Sequence, residues 1–511
     1  SRLLISWHYI FGLCKHRTGL YAVRLKKWPL PLNDKELHLG RFHIVIKALP
    51  GSPLGNKKVS PPTNSWHVYP QGVSTSIPLL LPFQDKCANY IKVLIKRDDD
   101  TLFVCGTNAF NPTCRNYKVY SLEPEGDTIS GKGICPYNPM DANVALFSGN
   151  ELYSATTSDL MGIDPVIYRS LGNNPNLRTV KHDSRWLKDP RFIHAVDYGN
   201  YIYFFFQEVS VEYQSVEKVI LPRIGRVCKN DMGGNMAVLD KHWTSFLKTR
   251  LICAVHEDSS FHFNIIQSVS HVLHINGHDL ILALLTTPKN SIPGSAICAF
   301  DLVDINQAFS RPFKEQKSST SVWTIVPDDE VPTPRPGSCA GYGSLEKYSS
   351  STEFPKEYLQ FMRTHVLVAE PGEPNTKHPW FLWTTDRDFL VALAVDNAAG
   401  PKEDHTVVYA VSENGILLKL LAQEHGKGFT ENGIFLEEMN ISELENDKRI
   451  VALQVDKPSG SLYVAFSDCV IRVPLGSCER HSSCKKACIA SRDPYCGWVN
   501  GLCTYLSPGT T

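Results

Sequence analysis

The sequence predicts an all-β fold: a β-propeller followed by a small module held together by disulfides. Short runs of alternating apolar and polar residues recur from about residue 90 onward, and a period of two marks strands with one buried face. Most runs follow a Gly or Asn turn signal and are followed by a second run after a polar gap. This strand–turn–strand unit returns at roughly 50-residue spacing, the signature of stacked blades, with a β-sandwich array as the alternative that the pattern leaves open. The third observation is a cluster of Cys478, Cys484, Cys488, Cys496 and Cys503 in a stretch with too few apolar residues for a core. Crosslinks must hold such a segment. Zinc is the competing reading, but no cysteine pair has the two-residue gap of a zinc site and no histidine sits at ligand spacing among the later cysteines. Disulfides in turn imply an oxidising, extracellular or lumenal compartment.

Taken in order, the expected strands include 101–105, 151–155, 201–206, 278–284, 406–411 and 461–466, several with partner runs at 166–168, 297–300, 416–420 and 470–473. Twenty tyrosines and 23 phenylalanines against six methionines favour the same reading, because aromatic rings suit a pleated, half-buried surface. Two local stretches read as short amphipathic helices: 240–250, with Trp243, Phe246 and Leu247 on one face, and 354–365. Segments 326–337 and 369–380, rich in Pro and acidic residues, read as surface loops. Residues 1–80 differ: alternation is weak, 53–82 is rich in Pro, Ser and Thr, and one strand is expected at 43–47. Residues 2–13 resemble a decayed signal-peptide core interrupted by His8, and a start at Ser1 rather than Met suggests processing or a fragment.

Bulk properties narrow the function. The 511 residues carry 52 basic and 52 acidic side chains, with no basic stripe for nucleic acid and no apolar run near the roughly 20 residues that span a bilayer. There is no Gly-x-Ser-x-Gly elbow, no phosphate-binding glycine loop and no His-Glu-x-x-His. Asp231 and Asp493 sit beside cysteine-anchored turns, where capping is the expected role. No catalytic, cofactor-binding or metal-binding residue is expected, and a binding protein is. The most polar candidate surface is 182–192, with a central Trp186. Two readings stand open there: Trp186 and the flanking Arg185 and Arg191 as interface anchors, or Trp186 and Phe192 as core with the charges solvated. One N-glycosylation sequon, Asn440-Ile441-Ser442, adds to the case for secretion.

Several stretches in the same order resemble the semaphorin family. They are Cys87-Ala-Asn-Tyr-Ile-Lys-Val93, Cys105-Gly-Thr-Asn-Ala-Phe-Asn-Pro-Thr-Cys114, Asn143-Val-Ala-Leu-Phe147, Arg226-Val-Cys-Lys-Asn-Asp-Met-Gly-Gly234, Trp243-Thr-Ser-Phe-Leu-Lys248, Gly294-Ser-Ala-Ile-Cys298, Pro334-Arg-Pro-Gly337 and Arg492-Asp-Pro-Tyr-Cys-Gly-Trp498. Asn108-Ala-Phe-Asn-Pro112, Phe313-Lys-Glu-Gln-Lys317 and the Cys484 and Cys488 surroundings look most like the class 6 transmembrane members. The resemblance implies a seven-bladed sema propeller over 81–477, a truncated plexin-semaphorin-integrin (PSI) module over 478–511, and a divergent segment 1–80 in place of the usual first blade. It also implies disulfides Cys105–Cys114, Cys228–Cys339, Cys253–Cys298, Cys478–Cys496 and Cys488–Cys503. Cys14, Cys87, Cys135, Cys469 and Cys484 are left unassigned, and with 15 cysteines at least one is unpaired within the chain.

By the same resemblance the chain is an extracellular guidance ligand, anchored in the membrane when full length or secreted as a fragment. It binds class A plexins edge-on and forms a homodimer through the sema domain, with no cofactor. The implied partner-binding residues are His182, Asp183, Ser184 and Arg363, with Arg185, Lys188 and Thr385 as further candidates beside them, and the sequon makes Asn440 the expected glycan site. The chain departs from the family in three places: no cysteine occurs in 72–83, the first-blade strand signature is missing from 1–80, and 384–389 is less basic than usual. The alternatives are a sema-domain receptor and a non-functional variant with a replaced N-terminus.

Overall fold

The computed structural model describes the backbone of strands Phe11–Lys15, Tyr21–Leu25 and Leu37–Leu39, and then residues 89–509. Within the latter, 214–217, 256–260, 319, 376, 386–387, 426–427, 430–432, 442–448, 468, 482–483 and 508 are not described. The strand expected at 43–47, and Cys87, lie outside the described residues.

Glycine and asparagine turns divide the chain into antiparallel sheets, each carrying an alternating or fully apolar inner run. Blade I holds Asn89–Lys96, Thr101–Gly106, Thr113–Lys118 and Pro124–Ser130. Blade II holds Val144–Ser148, Glu151–Thr157, Pro165–Ser170 and Leu177–Arg178. Blade III holds Arg191–Tyr198, Tyr201–Val209, Ile220–Cys228 and Leu247–Arg250. Blade IV holds Ile265–Val269, His278–Thr286, Ser295–Asp301 and Phe381–Trp383. Blade V holds Leu390–Ala399, His405–Ser412, Ile416–Ala422 and Ile434–Asn440. Blade VI holds Ile450–Asp456, Ser461–Phe466 and Cys469–Pro474.

The first strands of successive blades touch in series from I to VI, which is the arrangement of a propeller. Six such sheets lie among the described residues, where the resemblance implies seven blades; most of 1–80, the divergent segment in place of the usual first blade, is not described. Tyr21–Arg24 pairs antiparallel with Cys469–Arg472 on the outer edge of blade VI, and Phe11–Lys15 pairs in turn with Tyr21–Leu25. An N-terminal strand on the last blade covers a sheet edge that would otherwise be open. These strands were not anticipated, because alternation there is weak.

The long segment 302–380, between the third and fourth strands of blade IV, does not stay with that blade. Its strands Phe313–Glu315, Thr324–Ile325 and Leu367–Val368 extend blade III to seven strands, through a parallel contact of Leu367 with Lys248. Helix α1 (Leu302–Ala308) opens the insertion with Asp301 as its N-cap, and helix α2 (Lys356–Thr364) lies further along. The helix expected at 354–365 is thus present, whereas the one expected at 240–250 is not. There Trp243, Phe246 and Leu247 are fully buried, but the segment is a turn leading into the strand Leu247–Arg250. Two tertiary demands override the helical spacing. Asp231 takes the N–H groups of Thr244 and Ser245 at 2.8 and 3.0 Å, and the strand backbone pairs with Arg223–Arg226.

Among the described residues five disulfides are formed: Cys105–Cys114, Cys228–Cys339, Cys253–Cys298, Cys478–Cys496 and Cys488–Cys503. The second and third close sequence separations of 111 and 45 residues around the insertion, stabilising by about 4 kcal/mol each in the chain-entropy account. The last two hold the C-terminal module, in which helix α3 (Lys485–Ala490) packs on a hairpin of Cys496–Val499 and Leu502–Tyr505. Cys135 is buried and unpaired, and Cys484 is exposed.

Two buried charge groups fasten this architecture. In blade III, Arg223 bonds Glu208 at 3.0 Å and Glu212 at 2.5 Å, and Lys248 bonds Glu208 at 2.6 Å. Two cations and two carboxylates cancel, which is the condition for burying charge. Beneath the C-terminal module, Lys419 of blade V donates to Asp493 at 2.5 Å and to the Leu475 carbonyl at 2.6 Å. Tyr495 donates to Asp396 of blade V at 2.6 Å. Burial pushes the Lys419 ammonium down and Asp493 opposes that.

Two outcomes follow. Burial alone would raise the Glu212 carboxyl, but Arg223 and Ser210 draw it from 4.5 down to about 2. A depressed folded pKa adds stability that is complete above about 4.5 and is lost as pH falls toward about 2. Glu212→Gln should flatten the pH dependence of unfolding over that window, removing at most about 3 kcal/mol, as read by urea titrations at stepped pH. Asp493→Asn should cost about 3 kcal/mol by leaving a buried ammonium unpaired, while Asp493→Leu with Lys419→Met should recover most of it; thermal unfolding of both variants checks this.

Candidate functional site

Residues 181–190 connect the outer strand of blade II to the inner strand of blade III. Asp183 organises the turn. Its carbonyl accepts from the N–H groups of Trp186 and Leu187, at 3.0 and 3.3 Å. Its carboxylate accepts from the Arg185 backbone N–H at 3.0 Å and the Arg185 guanidinium at 2.9 and 2.6 Å. This partner holds the Arg185 guanidinium above its ordinary pKa. Trp186 and Phe192 turn inward: Trp186 stacks on Phe246 with centroids 5.2 Å apart, and Phe192 meets Phe206 at 5.7 Å. Of the two open readings, core therefore holds for both rings. His182 and Ser184 remain exposed, with Asp183, Arg185 and Lys188 half-buried.

Helix α2 buries Tyr358, Leu359, Phe361 and Met362 against the insertion and leaves Arg363 exposed in its last turn, where a cation suits the helix dipole. The carbonyls of a last turn lack intrahelical donors. The Arg363 carbonyl receives the Trp186 indole N–H at 3.0 Å across 177 residues of sequence. One hydrogen bond thus joins the two segments that sequence reasoning named separately.

A third element was not anticipated. In the 158–164 turn of blade II, Asp159 accepts from the N–H groups of Met161, Ile163 and Asp164, at 3.0, 3.3 and 2.7 Å. That folding leaves Leu160, Met161 and Ile163 exposed at 58%, 77% and 66%. Asp164, beside them, is buried and takes Ser158 at 2.5 Å, Arg178 at 2.7 Å and Lys181 at 3.6 Å. Burial works to raise its carboxyl, but the Ser158 and Arg178 bonds outweigh it and hold it low. The only signal in the sequence is an apolar run inside an Asp-bounded turn, which does not distinguish an exposed patch from a buried one.

Together these elements form an edge that is partly apolar and carries exposed cations. Asp164 and Asp183 are neutralised internally, while Arg363 and Lys241 face solvent. Burial depresses the His242 imidazole; Asp240 opposes the shift, and the nearby charges of Arg178 and Arg363 favour it. Lys188 is tied in by its backbone, donating to Glu208 at 3.2 Å and accepting from Val209 at 3.1 Å. Thr385 stands apart, in a turn after the outer strand of blade IV where its hydroxyl exchanges hydrogen bonds with Asp388 at 3.2 and 3.1 Å. Asn440 is exposed at the end of blade V; Ser442 of its sequon is outside the described residues. Among the described residues no group of three or more His, Cys, Asp or Glu is arranged to hold a metal. The partners of Asp231 and Asp493 are those of turn and interface fasteners.

Comparison with known proteins places this edge in a family context. The Sema domain description matches residues 266–457 and the Plexin repeat description matches 477–509. Semaphorin-6A of Mus musculus is 59% identical over 434 residues, covering 83% of this chain and 42% of the mouse protein. The chain therefore spans about two fifths of the length of the first curated relatives it matches. Among solved structures, the extracellular domains 1–2 of Drosophila Semaphorin 1a share 33% identity at a TM-score of 0.71, covering 83% of this chain and 82% of that one. A chain of the Drosophila Plexin A complex with Semaphorin 1b shares 30% identity at a TM-score of 0.73, covering 98% and 92%. With this fold, these disulfides and this degree of identity, the chain belongs to the semaphorin family, within which it is most like class 6.

Proposed function

We propose that this chain is an extracellular, non-enzymatic ligand that docks edge-on against the propeller of a class A plexin and serves axon guidance and cell migration. The observation that carries the proposal is the single edge formed by the 181–190 turn, the end of helix α2 and the 158–164 turn. It offers an exposed apolar cluster beside unneutralised cations, which is the composition of a protein-binding surface with an apolar centre and a steering charge. The solved complex of a related semaphorin with Plexin A supports plexin as the partner class. His182, Ser184, Arg185, Lys188 and Arg363 supply the polar rim, Met161 and its neighbours the apolar contact, and Thr385 an outlying contact on blade IV. Homodimerisation through the sema domain would pair two such edges and raise avidity, and Asn440 on blade V is the proposed glycan site.

Arg363→Asp should weaken binding to an immobilised class A plexin ectodomain by at least about tenfold through charge reversal at the edge. Met161→Asp should weaken it by a similar factor through loss of apolar contact. Both side chains are solvent-exposed, so circular dichroism should match the unmodified chain, and thermal unfolding should differ only by the small loss of the Arg363 contribution to the helix end. Unchanged plexin binding in both variants would sink the proposed edge.

A further inference from the structure

A groove of about 440 Å³ lies between the outer strand of blade I and the third strand of blade II, with Ser158 and Arg178 at the end nearest the proposed edge. Its lining is mixed: Ile129, Ile134, Val166 and Tyr168 are its apolar part, and Ser130, Ser158 and Asn176 interrupt them. Gly133 keeps it open. At φ +78° it takes a backbone conformation that side chains rarely adopt, and a Cβ there would sit 3.1 Å from the Tyr168 ring.

Two polar groups in its lining lack a side-chain partner among the described residues. Ser170 lines the groove at 4% exposure, and its Oγ has no hydrogen-bond partner among the described residues. Buried hydroxyls are ordinarily bonded, so an orphan one calls for an explanation. Lys132 stands exposed at the mouth and forms no ion pair with any described residue, whereas Arg178 is occupied by Asp164 at 2.7 Å. The groove runs into the 158–164 turn, since Ser158 both lines it and bonds Asp164. A mixed lining with an apolar part, a cation without an ion pair among the described residues and an unsatisfied hydroxyl match a short protein segment with one apolar side chain followed by a carboxylate.

We propose that this groove is a specificity pocket of the plexin-facing edge, taking a loop of the partner propeller whose apolar residue seats against Ile134 and Tyr168 and whose Asp or Glu pairs with Lys132. The inference rests on the edge-on docking proposed above, and its test separates the two. The full chain, Lys132→Glu, Ser170→Ala and Arg363→Asp are titrated against a class A plexin ectodomain by surface plasmon resonance. Lys132→Glu should weaken binding about tenfold. Ser170→Ala should weaken it a few-fold while raising the thermal midpoint of the free chain, opposite signs that a purely structural serine would not give. Loss of binding in Arg363→Asp with no change in Lys132→Glu and Ser170→Ala overturns the pocket and leaves the edge standing. A folded, unmodified chain that does not bind overturns both. Reduced heparin retention by Lys132→Glu with plexin binding intact assigns the groove to a sulfated glycan and overturns the proposal.

Discussion

The docking of the 302–380 insertion onto blade III is the constraint on which the rest of the structure depends. The insertion leaves from blade IV, yet it completes the sheet of its neighbour, so two blades are bound by more than their facing surfaces. Asp231 is the centre of that junction. At 1% exposure it accepts six hydrogen bonds, from the Gly233, Thr244 and Ser245 N–H groups and from the hydroxyls of Thr244, Ser245 and Ser351. Ser351 belongs to the insertion, so one carboxylate links a blade turn to a segment 120 residues away. The Cys228–Cys339 bond and the Trp186 indole reinforce the same junction. They add to the buried Tyr358, Leu359, Phe361 and Met362 in fixing helix α2, and with it the position of Arg363.

Much of the propeller was legible because alternating runs and turn signals are local properties. Strands such as Tyr201–Val209 and Ser461–Phe466 announce themselves, as does helix α2, whose buried Tyr358, Leu359, Phe361 and Met362 follow helical spacing. The same spacing in Trp243, Phe246 and Leu247 misleads, because the groups that decide the backbone there are Asp231 and a neighbouring strand. Nothing in the insertion's sequence states which blade its strands will join. The disulfide pairs were legible only through the family pattern, since spacing alone leaves many pairings open.

The candidate site divides along the same line. His182 to Lys188 and Arg363 came from the resemblance, and the geometry supplies what the resemblance lacks: an indole hydrogen bond that makes them neighbours. The exposed Leu160, Met161 and Ile163 were not legible, because exposure belongs to the fold rather than to the residue type. Trp186 shows the converse. An interface-type residue by composition, it works beneath the surface, holding polar residues in place above it. The buried charges of blade III cancel one another, so the surface charge beside them is left to act outward.

The Lys419–Asp493 contact bears on mechanics as much as on stability. The C-terminal module is small enough to be pictured as a bead on a tether, but its Asp493 and Tyr495 reach down to Lys419 and Asp396 in a dry joint. Swivelling the module would strip a buried ammonium of its carboxylate, a motion opposed by several kcal/mol, on the order of a broken buried ion pair. The joint therefore acts as a bracket rather than a hinge. A pull or twist applied at the module would be delivered to the propeller as a rigid-body torque, and the bearing of the edge proposed for docking would turn with it.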